Sequence, residues 1–135
     1  MSATGKPPVA AHLKAGAKAE ALASRYLQRH KLQLIDSNFR CRFGELDLIL
    51  EDGSCLVIAE VRYRRSKGYG GPLATVQASK QRRIIRSTAI WLQQRRTFAE
   101  LPVRFDVVAI SGSLEDPTQT TIEWIKNAFS TDGVI

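Results

Sequence analysis

Residues 45–62 read Glu45-Leu46-Asp47-Leu48-Ile49-Leu50-Glu51-Asp52-Gly53-Ser54-Cys55-Leu56-Val57-Ile58-Ala59-Glu60-Val61-Arg62. Two apolar runs flank Glu51-Asp52-Gly53-Ser54, and Asp-Gly between such runs is a strong tight-turn signal. The stretch predicts a hairpin with strands at Glu45–Leu50 and Leu56–Tyr63. Strand side chains alternate between faces. Leu46, Leu48 and Leu50 are therefore expected on one face, and Glu45, Asp47 and Ile49 on the other. In the second strand Ile58, Glu60 and Arg62 share a face. Folding about Asp52-Gly53 pairs Ile49 with Leu56, Asp47 with Ile58 and Glu45 with Glu60, with Asp47 diagonal to Glu60. Acidic side chains opposed on neighbouring strands destabilise a sheet, and burying them costs more. A divalent cation relieves both, and Mg²⁺ prefers carboxylate and water oxygens. The plainer alternative is that Glu45 or Glu60 lies at a solvated strand end or pairs with Arg62 or Arg64.

Outward from the hairpin, Leu32–Phe39 reads as an earlier strand and Val103–Ile110 as a later one, with a further strand expected at Thr121–Ile125. Ala11–His30 is rich in good helix formers, and Gly16, Ala19, Ala23 and Leu27 form a stripe along it. Val76 to about Phe98 is a second helix. Residues 1–9 carry Gly5, Pro7 and Pro8 without apolar periodicity and read as a tail, as do residues 129–135. The resulting domain, residues 10–128, has the order αβββαβ(β) and predicts an α/β fold with a mixed central sheet flanked by helices.

The chain has 135 residues, the size of one domain, and 44% hydrophobic residues, enough for a core. Its formal net charge of +7 favours a polyanionic partner. Cys41 and Cys55 do not make a disulfide framework, and reduced thiols are expected. No apolar run reaches membrane-span length and the N-terminus lacks a secretory core, so a cytoplasmic protein without membrane contact is expected. Ser66–Gly71 lacks the Gly-Lys-Ser/Thr ending of a Walker A loop. His12, His30 and the cysteines lack zinc spacing. Trp91 and Trp124 read as core. Arg104 and Asp106 read as a surface or cross-strand ion pair. Tyr63 is expected to pack on the face opposite Glu60, while Tyr69 is a candidate for base stacking.

Five segments together carry a family resemblance. They are Gly16-x-x-Ala19-Glu20, Asn38-Phe39-Arg40-Cys41-Arg42-Phe43, Gly44-Glu45-Leu46-Asp47-Leu48-Ile49, Glu60-Val61-Arg62-Tyr63-Arg64 and Lys80-Gln81-Arg82-Arg83. In this order the chain resembles the YraN family of small bacterial proteins. That family is predicted to be endonuclease-like and related to archaeal Holliday junction resolvases and the PD-(D/E)XK nucleases. The resemblance implies a restriction-endonuclease-like fold. It implies a metal-dependent endonuclease on structured or branched DNA, with Mg²⁺ or Mn²⁺ as cofactor and a possible homodimer as the assembly. Asp47 matches the motif aspartate, Glu60 the second acidic ligand and Glu20 the helix-one glutamate that completes the metal site. Arg62 falls where the superfamily has its lysine. An arginine holds phosphate well but shuttles protons poorly, so Lys80 is a candidate for the ammonium, or else part of a solvated face. Read without the family, Glu20 is either an exposed helix glutamate or an acidic group that meets a cation.

Arg40, Arg42, Arg62, Arg64, Arg65 and Lys67, with a second run at Lys80, Arg82, Arg83 and Arg86, form a phosphate-tracking rim if they border the carboxylates, and otherwise a solvated charged surface. The leading expectation is a nuclease. Its rivals are a nucleic-acid-binding module of the same fold with little turnover, and a scaffold whose acidic cluster is paired internally.

Overall fold

The computed structural model describes residues 8–66 and 72–131, with side chains from residue 15 onward. Helix α1 (Pro8–Arg29) leads into strands β1 (Gln33–Cys41), β2 (Gly44–Asp52) and β3 (Cys55–Arg64). Helix α2 (Ala78–Gln94), a 3-10 turn (Arg96–Phe98), β4 (Val103–Gly112) and β5 (Thr120–Phe129) follow. The elements match the expected order, with shifted ends. Helix α1 starts at Pro8, inside the expected tail, because proline fits the first helical position. Helix α2 starts at Ala78 because Gln77 is extended, with φ −67° and ψ 153°. Strand β5 runs well past Ile125.

The sheet has the order β1-β2-β3-β4-β5. Only β3 and β4 run parallel, joined through α2, so the sheet is mixed. One helix covers each face. Ala19, Ala23 and Leu27 of α1 pack on Leu48, Leu50, Val57, Ala59, Val108 and Ile110. Ile84 and Trp91 of α2 pack on Ile49, Leu56, Ile58, Phe105 and Val107. The central strands β3 and β4 are therefore apolar on both faces, as strands covered on both sides must be. No helix among the described residues is long and apolar enough to cross a membrane.

Two expectations for the hairpin are corrected. The turn is the two-residue loop Gly53-Ser54, with Asp52 paired to Cys55 and Gly53 at φ 61°. Glycine at the first loop position suits the mirror-image turns that hairpins favour. The pairing is thus Ile49 with Ile58 and Leu48 with Ala59, which leaves the faces unchanged but slides the partners. Glu45 does not face Glu60; it pairs with Arg40 of β1. Leu46 does not share a face with Leu48 and Leu50, but joins the cluster under α2. Asn38, at φ 54°, lies between the pairs Ser37–Leu48 and Phe39–Leu46, and alternation fails there. Asparagine tolerates this left-handed backbone better than most residues.

Strands β2 and β3 pair only as far as Leu48–Ala59. Beyond that point β2 stays with β1 down to Gly44, and β3 stays with β4 up to Arg64. The sheet therefore splits between two central strands, and Asp47 and Glu60 are the first residues past the split.

Candidate functional site

Both carboxylates at the split are buried, Asp47 with 8% and Glu60 with 5% of its surface exposed. Oδ2 of Asp47 accepts the Val61 N–H at 2.9 Å, a backbone donor that the parting strands leave without a ladder partner. Oε2 of Glu60 lies 3.0 Å from Nζ of Lys80, in the first turn of α2, and 4.0 Å from Nη1 of Arg62. Glu20 reaches in from α1 and is hydrogen-bonded to Asn38. The left-handed kink in β1 thus orients a helix carboxylate as well as turning the strand.

The carboxylates repel one another. Burial, followed by the charge of Glu60, pushes the Asp47 carboxyl up to about 8, against the opposing Val61 hydrogen bond. Burial also raises Glu20, aided by the charges of Glu45 and Glu60 and opposed by the Asn38 hydrogen bond and Arg40. Near neutral pH the pair therefore holds a proton or requires a cation.

Glu20, Glu45, Asp47 and Glu60 all line one cleft of about 1370 Å³, together with Arg64, Arg65 and Lys80. Its far wall is the segment from Gly112 to Gln119. Gly112 is at φ 98°, and an added Cβ would collide with the Gln119 carbonyl oxygen, so this wall needs glycine. Tyr63 packs on the α1 side as expected, and its hydroxyl donates to the Gly112 carbonyl at 2.9 Å. Lys18 of α1 is ion-paired with Glu115 of the far wall, and both line the cleft.

Of the sequence-derived candidates, the structure thus brings Asp47, Glu60, Glu20, Lys80, Arg64 and Arg65 to one cleft. Arg62 is beside Glu60 but does not line the cleft. Arg40 is drawn to Glu45, with Nε 3.2 Å from Oε2. Arg42 lies over the Phe43 ring, and Arg83 is beside Gly44, so neither lines the cleft. Lys67, Tyr69 and the centre of the Gly-rich loop lie outside the described residues. Among the described residues, no three His, Cys, Asp or Glu side chains stand close enough together to hold a metal ion as they are placed. Glu60 is held by Lys80 instead.

Asp106 corrects another expectation. It is fully buried, not at the surface. It takes two hydrogen bonds from Arg104, one from Trp124 Nε1 and one from the Asn127 N–H. The β4–β5 register shifts beside it, which turns its side chain into the internal partner of groups the shifted ladder leaves over. The cleft wall at Gly112–Gln119 and the bracing role of Asn38 went unread in the sequence. Asparagine inside a strand is disfavoured, and that was the available signal for Asn38.

The chain matches Uncharacterised protein family UPF0102 over residues 19–110. It is similar to a UPF0102 protein of Pseudomonas syringae pv. syringae, 44% identical over 86% of this chain and 93% of the relative. The UPF0102 protein of Alkalilimnicola ehrlichii is also 44% identical, over 92% of this chain and 93% of its own. That of Nitrosomonas europaea is 45% identical over 84% and 92%. The matched segment contains Glu20, Glu45, Asp47 and Glu60, and the chain belongs to the UPF0102 family, in keeping with its YraN-like motifs.

Proposed function

We propose that this protein is a Mg²⁺- or Mn²⁺-dependent endonuclease acting on structured or branched DNA. The observation that carries this reading is the buried Asp47–Glu60 pair at the split between β2 and β3, facing a cleft edged by Lys80, Arg64 and Arg65. Two buried carboxylates, with no cationic side chain paired to Asp47 among the described residues, are costly to the fold. Such a cost at a cleft fits a site built for a cation. Asp47, Glu60 and Glu20 are hard oxygen donors, the ligand type these ions prefer. When bound, the ion supplies Lewis acidity and lowers the pKa of an attacking water. The relation to the PD-(D/E)XK nucleases, which the motifs imply, accords with this donor set.

The chain's own groups have separable tasks. Lys80 holds Glu60 in place in the free protein and is within reach of a phosphate once a cation takes over that carboxylate. It fills the ammonium role that Arg62 cannot. Arg64 and Arg65 bind phosphates flanking the cut. The Val61 N–H fixes one oxygen of Asp47, which lines the cleft.

The Lys80–Glu60 contact favours a second reading, a nucleic-acid-binding module without turnover, since an internal ammonium already neutralises Glu60. The two are separated with end-labelled four-way junction, linear duplex and single-stranded DNA, each incubated with Mn²⁺, Mg²⁺ or EDTA. A nuclease cuts only with metal and loses the cut in Asp47→Asn. A binding module retains junction affinity equally in both proteins and cuts nothing.

A further inference from the structure

The turn between β1 and β2 presents Phe43 beside the outer face of α2. The guanidinium of Arg42 lies 4.9 Å from the Phe43 ring centroid and that of Arg86 lies 5.6 Å from it. Arg83 adjoins Gly44 on the same side. Together with Ala89, Ile90 and Gln93 of α2, Arg42, Phe43 and Arg86 line a second cavity of about 610 Å³, separate from the carboxylate cleft. Its size is in the range of small-ligand pockets. Its floor is apolar and its edge is cationic.

Among the described residues some arginines are ion-paired and others, such as Arg25 and Arg29 on α1, are not. Arg40, Arg62, Arg95 and Arg104 each have a carboxylate within ion-pair distance. Among the described residues, Arg42, Arg83 and Arg86 have none, and no acidic residue lines the second cavity. Folding has placed two uncompensated guanidiniums, those of Arg42 and Arg86, against one aromatic ring. Such a patch is an electrostatic cost that an external anion removes. A planar ring beside guanidiniums matches a ligand that alternates flat bases with phosphates, because bases stack on aromatic rings and on guanidinium planes alike. Paired bases in a duplex do not expose the faces that this site needs.

We infer that the Arg42–Phe43–Arg86 cavity binds an unpaired stretch of nucleic acid, one base stacked at Phe43 with its flanking phosphates on Arg83, Arg86 and Arg42. Its relation to the cleft rests on the function proposed above. Lys80 is on the same helix, and six residues of α-helix separate Lys80 from Arg86 by about 9 Å. A strand leaving the carboxylates along α2 therefore reaches the cavity within a few nucleotides. The preferred substrate class is then a duplex that carries an unpaired segment next to the cut, such as a fork, flap or gapped branch.

The test is fluorescence anisotropy of labelled oligothymidylate and oligouridylate against the full chain in EDTA, which keeps the site independent of cleavage. Phe43→Leu and Arg86→Gln should each weaken binding by about 5- to 100-fold, the effect expected of one stacking contact. Arg25→Ala/Arg29→Ala, which removes two exposed charges from α1, should stay within about twofold of wild type. In Phe43→Trp, oligonucleotide should quench the tryptophan at position 43. Unchanged affinity in Phe43→Leu, or an equal loss in the Arg25/Arg29 control, would overturn the site. So would binding of phosphatidylglycerol vesicles, but not oligonucleotide, through the same arginines. If no DNA is cut under any metal while the stacking signature persists, the nuclease reading fails and this one stands. If tailed and blunt duplexes are cut equally and Phe43→Leu changes neither, the reverse holds.

Discussion

Asp47 concentrates the tension of the molecule in one side chain. Its carboxyl titrates at about 8 in the folded chain against an ordinary 3.8, mainly through burial and then through Glu60. The folded state thus holds a proton that the unfolded state has released between about pH 4 and pH 8. Asp47 therefore destabilises the fold increasingly as pH rises through that window, and the effect levels off above it. Asp47→Asn keeps an oxygen for the Val61 N–H and removes the charge. In EDTA at pH 8 its melting temperature should exceed that of wild type by several degrees, roughly 1–2 kcal/mol, with the difference vanishing toward pH 4. A variant that melts lower than wild type at pH 8 would mean that Asp47 is already compensated. Lys80→Met should have the opposite effect, losing about 1–3 kcal/mol in EDTA, because Glu60 then keeps its burial without its nearest cation. Mn²⁺ should recover much of that loss if Glu60 binds it.

At the level of elements, backbone irregularities position the chemistry. Asn38 interrupts the β1–β2 ladder opposite Asp47, and Asn127 accompanies the shift beside Asp106; both are at φ 54°. Asn38→Gly should cost little stability, since glycine adopts this backbone freely. Asn38→Val should cost about 2 kcal/mol through left-handed strain. Both variants remove the hydrogen bond to Glu20, so both should weaken Mn²⁺ affinity, which separates positioning from folding. Asp106→Asn should cost about 3–5 kcal/mol in a denaturant melt, because it breaks a buried pair and leaves Arg104 with only Asp52. The hairpin, the two helices and the mixed character of the sheet were legible in sequence because alternation, helical periodicity and element order report on burial and connection. The register was not. A two-residue loop at Gly53-Ser54 and a turn over Asp52-Gly53 both satisfy the same apolar pattern, and only backbone geometry distinguishes them. Leu46 escaped because a period-two reading assumes an unbroken strand. Asp106 escaped because a charged residue between Phe105 and Val107, in alternation with Arg104, reads as exposed until its four internal donors are seen.

At the scale of the whole molecule, basic side chains gather at two places among others, the carboxylate cleft with Lys80, Arg64 and Arg65, and the Phe43 cavity with Arg42 and Arg86 and with Arg83 nearby. The net charge of +7 anticipated a polyanion but not this division, which depends on how α2 crosses the β1–β2 turn. DNA affinity should fall steeply between 50 and 200 mM salt, by about 10²-fold or more if several phosphates are engaged. Removing Arg64 and Arg65 together should flatten that dependence. The central claim is that the buried Asp47–Glu60 pair is built for a divalent cation, and calorimetric titration of Mn²⁺ into the metal-free protein at pH 7 tests it most directly. The account predicts saturable binding that releases about one proton, visible as a dependence of the heat on the buffer's ionisation enthalpy. Binding should be weakened at least tenfold in both Asp47→Asn and Glu60→Gln. No saturable heat, or binding that is the same in wild type and in both variants, would contradict it.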